Sequence, residues 1–126
     1  MDRKFLMIGF GYAILGMCLG IFMAASQNHT QHVTHAHIML LGFVVSFMYA
    51  VCHRLWLGNT TSGLARTQLF LHLVGSLVIA AGLFLLYGGI VAIEILDPIL
   101  AIGSIVSLIA LVLMKVLLIK AFKAGQ

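Results

Sequence analysis

Four long apolar runs constrain this chain more than any other feature of its sequence. Each is about as long as the roughly 20 residues that a helix needs to cross the hydrocarbon layer of a membrane. With 63% hydrophobic and only 8% charged residues among 126, the chain has no room for a separate water-soluble domain. The sequence predicts a single all-α integral membrane domain over residues 1–126, a four-transmembrane-helix bundle with helices at about 5–25, 33–56, 66–87 and 98–121.

Polar and turn-forming residues separate the runs and indicate where the helices begin and pack. Asp97-Pro98 predicts the start of the fourth helix, because Asp can cap free amides and Pro suits the first helical position. Small residues let helix backbones approach closely in a membrane. Gly16 and Gly20 in the first run and Gly75 in the third therefore predict packing faces.

The basic residues predict the orientation of the bundle. All seven lie at the amino terminus, in the second connection or towards the carboxyl terminus, namely Arg3, Lys4, Arg54, Arg66, Lys115, Lys120 and Lys123. By the positive-inside rule these regions are cytoplasmic, so both ends of a multi-pass protein of the bacterial inner membrane lie inside. This pattern explains the net charge of +4 and gives no reason to propose nucleic acid as a partner. A cleaved signal peptide at residues 1–26 is disfavoured, because its apolar stretch exceeds the usual length of about 7–15 residues.

Six histidines in so apolar a chain are the candidate chemical groups. His35 and His53 are 18 residues apart, five full helical turns, which places them on one face about 27 Å apart and excludes a shared metal ion. His37 and His72 enter from opposite surfaces, so one heme between them in a single chain is disfavoured. The i, i+2 spacing of His35 and His37 points their side chains about 200° apart, towards different neighbours.

The histidine-bearing segments carry a family resemblance. The sequence His35-Ala36-His37-Ile38-Met39-Leu40-Leu41-Gly42, continuing to His53-Arg54-Leu55-Trp56, resembles a ligand-bearing helix of the catalytic subunit of heme-copper oxidases and nitric oxide reductases. The segment from Ala65 to Phe70, with Gly75, resembles the start of that family's next helix. The resemblance covers mainly the second and third helices. It implies a heme b site near the outer surface, with His37 as the low-spin heme ligand and His35 as the high-spin heme ligand.

The same resemblance leads to an oligomer hypothesis. The family's catalytic subunit consists of three similar four-helix sectors, and this chain has enough helices for one sector. It also lacks the additional histidines that bind the family's active-site copper, so oxygen reduction by this chain alone is not expected. A homotrimer would rebuild the three-sector core and let a neighbouring subunit supply the second heme ligand, and a dimer sharing a heme satisfies the same geometry.

The remaining histidines have alternative interpretations. His72 pairs either with Gln68, one turn away, or with a cofactor, and His53 is either an interfacial anchor beside Arg54 or a contact for heme propionates or quinone. His29 and His32 belong to a solvated loop or, with His35, to a surface copper or zinc site.

The functions that follow from these site predictions are heme-dependent electron transfer, sensing or accessory action. The alternatives are heme or copper transport or assembly, and a structural role in a respiratory complex. The sequence identifies no redox partner.

Overall fold

The fold is a bundle of four long helices. The computed structural model describes residues 1–125, and within that range the regular structure is entirely helical. The helices are α1 (Asp2–Ser26), α2 (His32–Leu55), α3 (Gly63–Tyr87) and α4 (Ile93–Ala124), and each is long and apolar enough to cross a membrane. The predicted helical class and the number of spans are therefore confirmed.

The helices pack in two close pairs, α1 with α2 and α3 with α4. Glycines bring both pairs together. A Cβ atom added at Gly9 of α1 would lie 3.2 Å from the Phe43 carbonyl oxygen of α2, and one added at Gly75 of α3 would overlap Ser107 of α4. Because lipid offers helices no hydrophobic reason to associate, these close approaches help to hold each pair in contact.

A π-helical segment interrupts α2 immediately after the His35-Ala36-His37 pair. The helix is α-helical over His32–His37, π-helical over Ile38–Val44 and α-helical again over Val45–Leu55. Such segments are rare and frequently lie at functional sites. His35 and His53 both contact α1, at Gly16 and Phe5 respectively, so the two rings share the face that their spacing predicts.

The π segment keeps one stripe of α2 residues facing the bundle interior. Thr34, Ile38, Gly42 and Ser46 recur every four residues and are all buried. In a uniform α-helix such a series would drift by about 40° per step, because four residues exceed one turn of 3.6. The wider turn of the π segment reduces that drift. Within this segment Gly42 lies against the ring of Tyr12, which a Cβ atom added at Gly42 would overlap.

The start of α4 differs from the prediction. The helix begins at Ile93, so Asp97 and Pro98 lie in its second turn and the predicted start at Pro98 is wrong. A proline there removes only the hydrogen bond to the carbonyl of Glu94, close to the end of the helix. Leu96 is 3% exposed, and its burial favours helical structure before the proline. The α3 helix begins at Gly63, where the Ser62 hydroxyl accepts a hydrogen bond from the Ala65 amide at 3.3 Å.

Candidate functional site

The six histidines divide into two groups. His29, His32, His35 and His37 lie at the end of the bundle that carries the α1–α2 and α3–α4 connections, which we call the histidine end. His53 and His72 are buried towards the opposite end, which we call the basic end because it carries Arg3, Lys4, Arg54, Arg66, Lys120 and Lys123. Among residues 1–125, no three or more His, Cys, Asp or Glu side chains are grouped so as to hold a metal ion.

His35 is oriented by α1. Its Nδ1 lies 2.8 Å from the Gly16 carbonyl oxygen. Since a carbonyl oxygen only accepts, Nδ1 carries the hydrogen and a neutral imidazole keeps its lone pair on Nε2. The ring lies over Gly20, where an added Cβ atom would be 3.1 Å from the His35 Cε1 atom. Gly16 and Gly20 therefore form the surface that positions this imidazole.

His37 points away from the bundle. Its side chain is exposed, and its Nδ1 lies 2.9 Å from the Val33 carbonyl oxygen one turn earlier. His37 therefore also presents an Nε2 lone pair. His35 faces α1 whereas His37 lies on the outer surface, in agreement with the divergence that the i, i+2 spacing predicts. His32 has the same local arrangement, with Nδ1 2.9 Å from the His29 carbonyl oxygen.

His72 is buried against α2. It is 1% exposed, its Nε2 lies 2.7 Å from the Ser46 hydroxyl, and its ring meets Tyr49 edge-on at 4.9 Å. The predicted pairing with Gln68 is wrong, because the Gln68 side-chain amide reaches α4 and donates to the Ala110 carbonyl at 3.2 Å. The pairing with Ser46 joins residues 26 apart in sequence, so local spacing gave no indication of it.

His53 is fully buried, which contradicts its predicted role as an interfacial anchor. The ring stacks on Phe5 of α1 with centroids 5.4 Å apart, and neither ring nitrogen has a hydrogen-bond partner among the described residues. The neighbouring Arg54 side chain is the one that reaches the surface, at 72% exposed. With His53 and His72 both enclosed, neither imidazole presents a nitrogen to a heme outside the bundle.

Further polar groups in the interior were not among the predicted site residues. The Tyr12 hydroxyl lies 2.8 Å from the Ser76 hydroxyl, and the Thr34 hydroxyl donates to the Gln31 side-chain oxygen at 2.6 Å. One sequence signal was present, since Gln68, His72 and Ser76 follow one another every four residues along α3. That spacing places polar groups on a single helix face.

Searches of protein-family models, curated proteins and solved structures found no match to this chain.

Proposed function

We propose that this chain binds heme b at the histidine end, with His37 and His35 as iron ligands, and acts in electron transfer or as a heme-dependent sensor or accessory factor. The observation that supports the proposal is the short distance from each Nδ1 to a backbone carbonyl oxygen. With Nδ1 donating to that carbonyl, each neutral imidazole keeps the lone pair on Nε2 that would bind iron. Histidines that bind metals nearly always donate their other ring N–H in this way.

The surroundings of His37 fit a porphyrin. Leu40 and Val44 follow it along α2 and are 61% and 39% exposed, so apolar surface continues beside the exposed imidazole. Heme would supply reversible one-electron chemistry at this position. The chain's own residues would ligate the iron, orient the imidazoles through Gly16 and Val33, and offer apolar contact to the ring. His53 and His72 are not part of the proposed heme site, because the bundle encloses them.

The proposal includes a second copy of the chain. His37 faces outward, and His35 is held against α1, so the two rings of one chain diverge. A neighbouring subunit would therefore supply the second axial imidazole, in a homotrimer or a dimer with α2 at the interface. By the positive-inside rule the histidine end faces outward from a bacterial inner membrane.

The test is the reduced-minus-oxidised absorption spectrum of the purified protein. We expect a b-type band in the wild type and its loss in His37→Ala. The matched control is His32→Ala, which removes an exposed histidine at the same end with the same Nδ1 hydrogen bond to a carbonyl. Full heme content in His37→Ala would refute the assignment of His37 as the ligand.

A second candidate function is copper or heme transport or assembly. His29 lies exposed in the connection before α2 and His32 lies exposed at the first residue of α2, where its Nε2 has no hydrogen-bond partner among the described residues and could bind a soft divalent or monovalent metal ion. Stoichiometric copper in a purified protein without heme would favour this function. If the purified protein binds neither heme nor copper, the remaining hypothesis is a structural role in a respiratory complex.

A further inference from the structure

A groove separates α1 and α2 at the basic end, about 260 Å³ in volume. Its walls come from one face of each helix. On α2 the lining residues follow the i, i+3, i+4, i+7 pattern of a single helix face. The lining residues are Asp2, Arg3 and Leu6 from α1 and Phe47, Ala50, Val51 and Arg54 from α2.

One end of the groove is cationic. Arg3 and Arg54 stand there with a single carboxylate, Asp2, which lies 3.6 Å from an Arg54 side-chain nitrogen. Two guanidinium groups against one carboxylate leave an excess positive charge. The Arg54 side chain is 72% exposed and that of Asp2 18%, so the guanidinium is open to a further anion while the carboxylate is largely covered.

The rest of the groove is apolar. Leu6 and Phe47 lie about one and two helical turns from the arginines, and Val51 and Ala50 lie between. Both helices are long and apolar enough to span a membrane, so this part of the groove faces acyl chains rather than water. A charged end at the membrane surface with an apolar groove beneath it matches a phospholipid, whose charged phosphate lies above its hydrocarbon chain.

We infer that this groove binds one anionic phospholipid. The phosphate pairs with Arg54 and Arg3, since guanidinium groups bind phosphate oxygens through parallel N–H donors. One acyl chain lies along Leu6 and Phe47. A zwitterionic lipid brings its own cation to the same place, where the two arginines repel it, so the site selects anionic headgroups. The inference is independent of the heme proposal, because it uses different residues at the other end of the bundle.

The experiment is native mass spectrometry of the detergent-solubilised full chain with phosphatidylglycerol or phosphatidylcholine of identical acyl chains. We expect the wild type to retain one phosphatidylglycerol with at least about tenfold preference. The double variant Arg3→Gln/Arg54→Gln should lose that preference. The control Arg66→Gln/Lys123→Gln removes two exposed charges at the same end but outside the groove and should retain it. Equal loss in both variants would overturn the site in favour of general surface charge.

Two single variants test the two parts of the site separately and do not depend on the double variant folding. Asp2→Asn removes the carboxylate that competes for Arg54, so it should tighten phosphatidylglycerol binding. Val51→Phe fills the apolar part of the groove, so it should weaken phosphatidylglycerol binding although both arginines are retained. Glycerol phosphate, which has the headgroup but no acyl chains, should fail to compete. Weaker binding in Asp2→Asn, unchanged binding in Val51→Phe, or competition by glycerol phosphate would each contradict a lipid site.

Discussion

At the residue scale, the interior of the bundle contains two buried histidines in opposite situations. His72 has a hydrogen-bond partner on another helix in Ser46, and His53 has an aromatic ring against it but no polar partner among residues 1–125. A buried polar group left unpaired costs about 1–3 kcal/mol, which exceeds the typical net gain from making the same hydrogen bond. The two histidines should therefore respond oppositely to substitution.

Replacing Ser46 by Ala should destabilise the protein. The change leaves the His72 Nε2 without a partner at a position that is 1% exposed, at a cost of about 1–3 kcal/mol. The measurement is the thermal unfolding midpoint in detergent. Ser104→Ala is the matched control, because Ser104 is exposed and its hydroxyl bonds only to the Leu100 carbonyl of its own helix at 2.8 Å. An equal midpoint for the two variants would argue against the importance of the Ser46–His72 bond.

Replacing His53 by Phe should stabilise the protein or leave its stability unchanged. Phe retains a ring that can stack on Phe5 and removes two buried nitrogen atoms that have no partner. His72→Phe is the comparison, since it strands the Ser46 hydroxyl and should lower the unfolding midpoint. A lower midpoint for His53→Phe would mean that an internal water or another polar partner satisfies His53.

At the element scale, α2 depends on a glycine within its π segment. Gly42→Ala places a methyl group within the volume of the Tyr12 ring, so we expect a loss of about 1–3 kcal/mol from overpacking and weaker association of α1 with α2. Gly11→Ala is the control, because nothing lies within 4 Å of a Cβ atom built there. Thermal unfolding of the two variants distinguishes them, and equal stability would contradict the close Gly42–Tyr12 packing.

The elements differ in how much of them the sequence predicted. The four spans follow from apolar length alone, and the packing role of Gly16 follows from the need of membrane helices for small residues. The π segment was missed because Ile38–Val44 has the same apolar composition as an ordinary helix. The start of α4 was predicted too late, because Asp97-Pro98 has the residues of a capped helix start. The burial of Leu96, which favours an earlier start, depends on packing against other helices and is not visible in the local sequence. The hydrogen-bond partners of the buried polar groups were missed for a different reason. Each of these bonds joins two separate helices, which local sequence spacing does not reveal.

At the scale of the whole molecule, polar contacts connect the two helix pairs. The Tyr12–Ser76 bond joins α1 to α3, and the Ser46–His72 bond joins α2 to α3. At the histidine end the Gln31 amide donates to the Phe84 carbonyl of α3 at 2.9 Å. The first helix pair is therefore hydrogen-bonded to α3 at three depths, whereas α3 and α4 associate through small residues and the Gln68–Ala110 side-chain hydrogen bond. This arrangement fixes α2, and with it His35 and His37, relative to the rest of the bundle.

The orientation of the bundle gives the last prediction, because it sets the side of the membrane that each proposed site faces. The basic end should face the cytoplasm, since Lys and Arg are retained on that side. The measurement is labelling of intact cells by a membrane-impermeant maleimide, after Cys18 and Cys52 are replaced by Ala. Thiols introduced by Ile90→Cys in the α3–α4 connection should react, and those introduced by Thr61→Cys in the α2–α3 connection should react only after permeabilisation.

The two positions are each other's control, because both are exposed connections and differ only in the end of the bundle they occupy. The opposite labelling pattern would place His37 on the cytoplasmic side. The arginine groove would then meet the outer leaflet. Neither site would lose its geometry, but heme would then exchange electrons with cytoplasmic partners, and the groove would recruit its anionic lipid from the other leaflet. Sidedness therefore decides which molecules the two proposed sites would encounter, while the helix packing positions the residues of each.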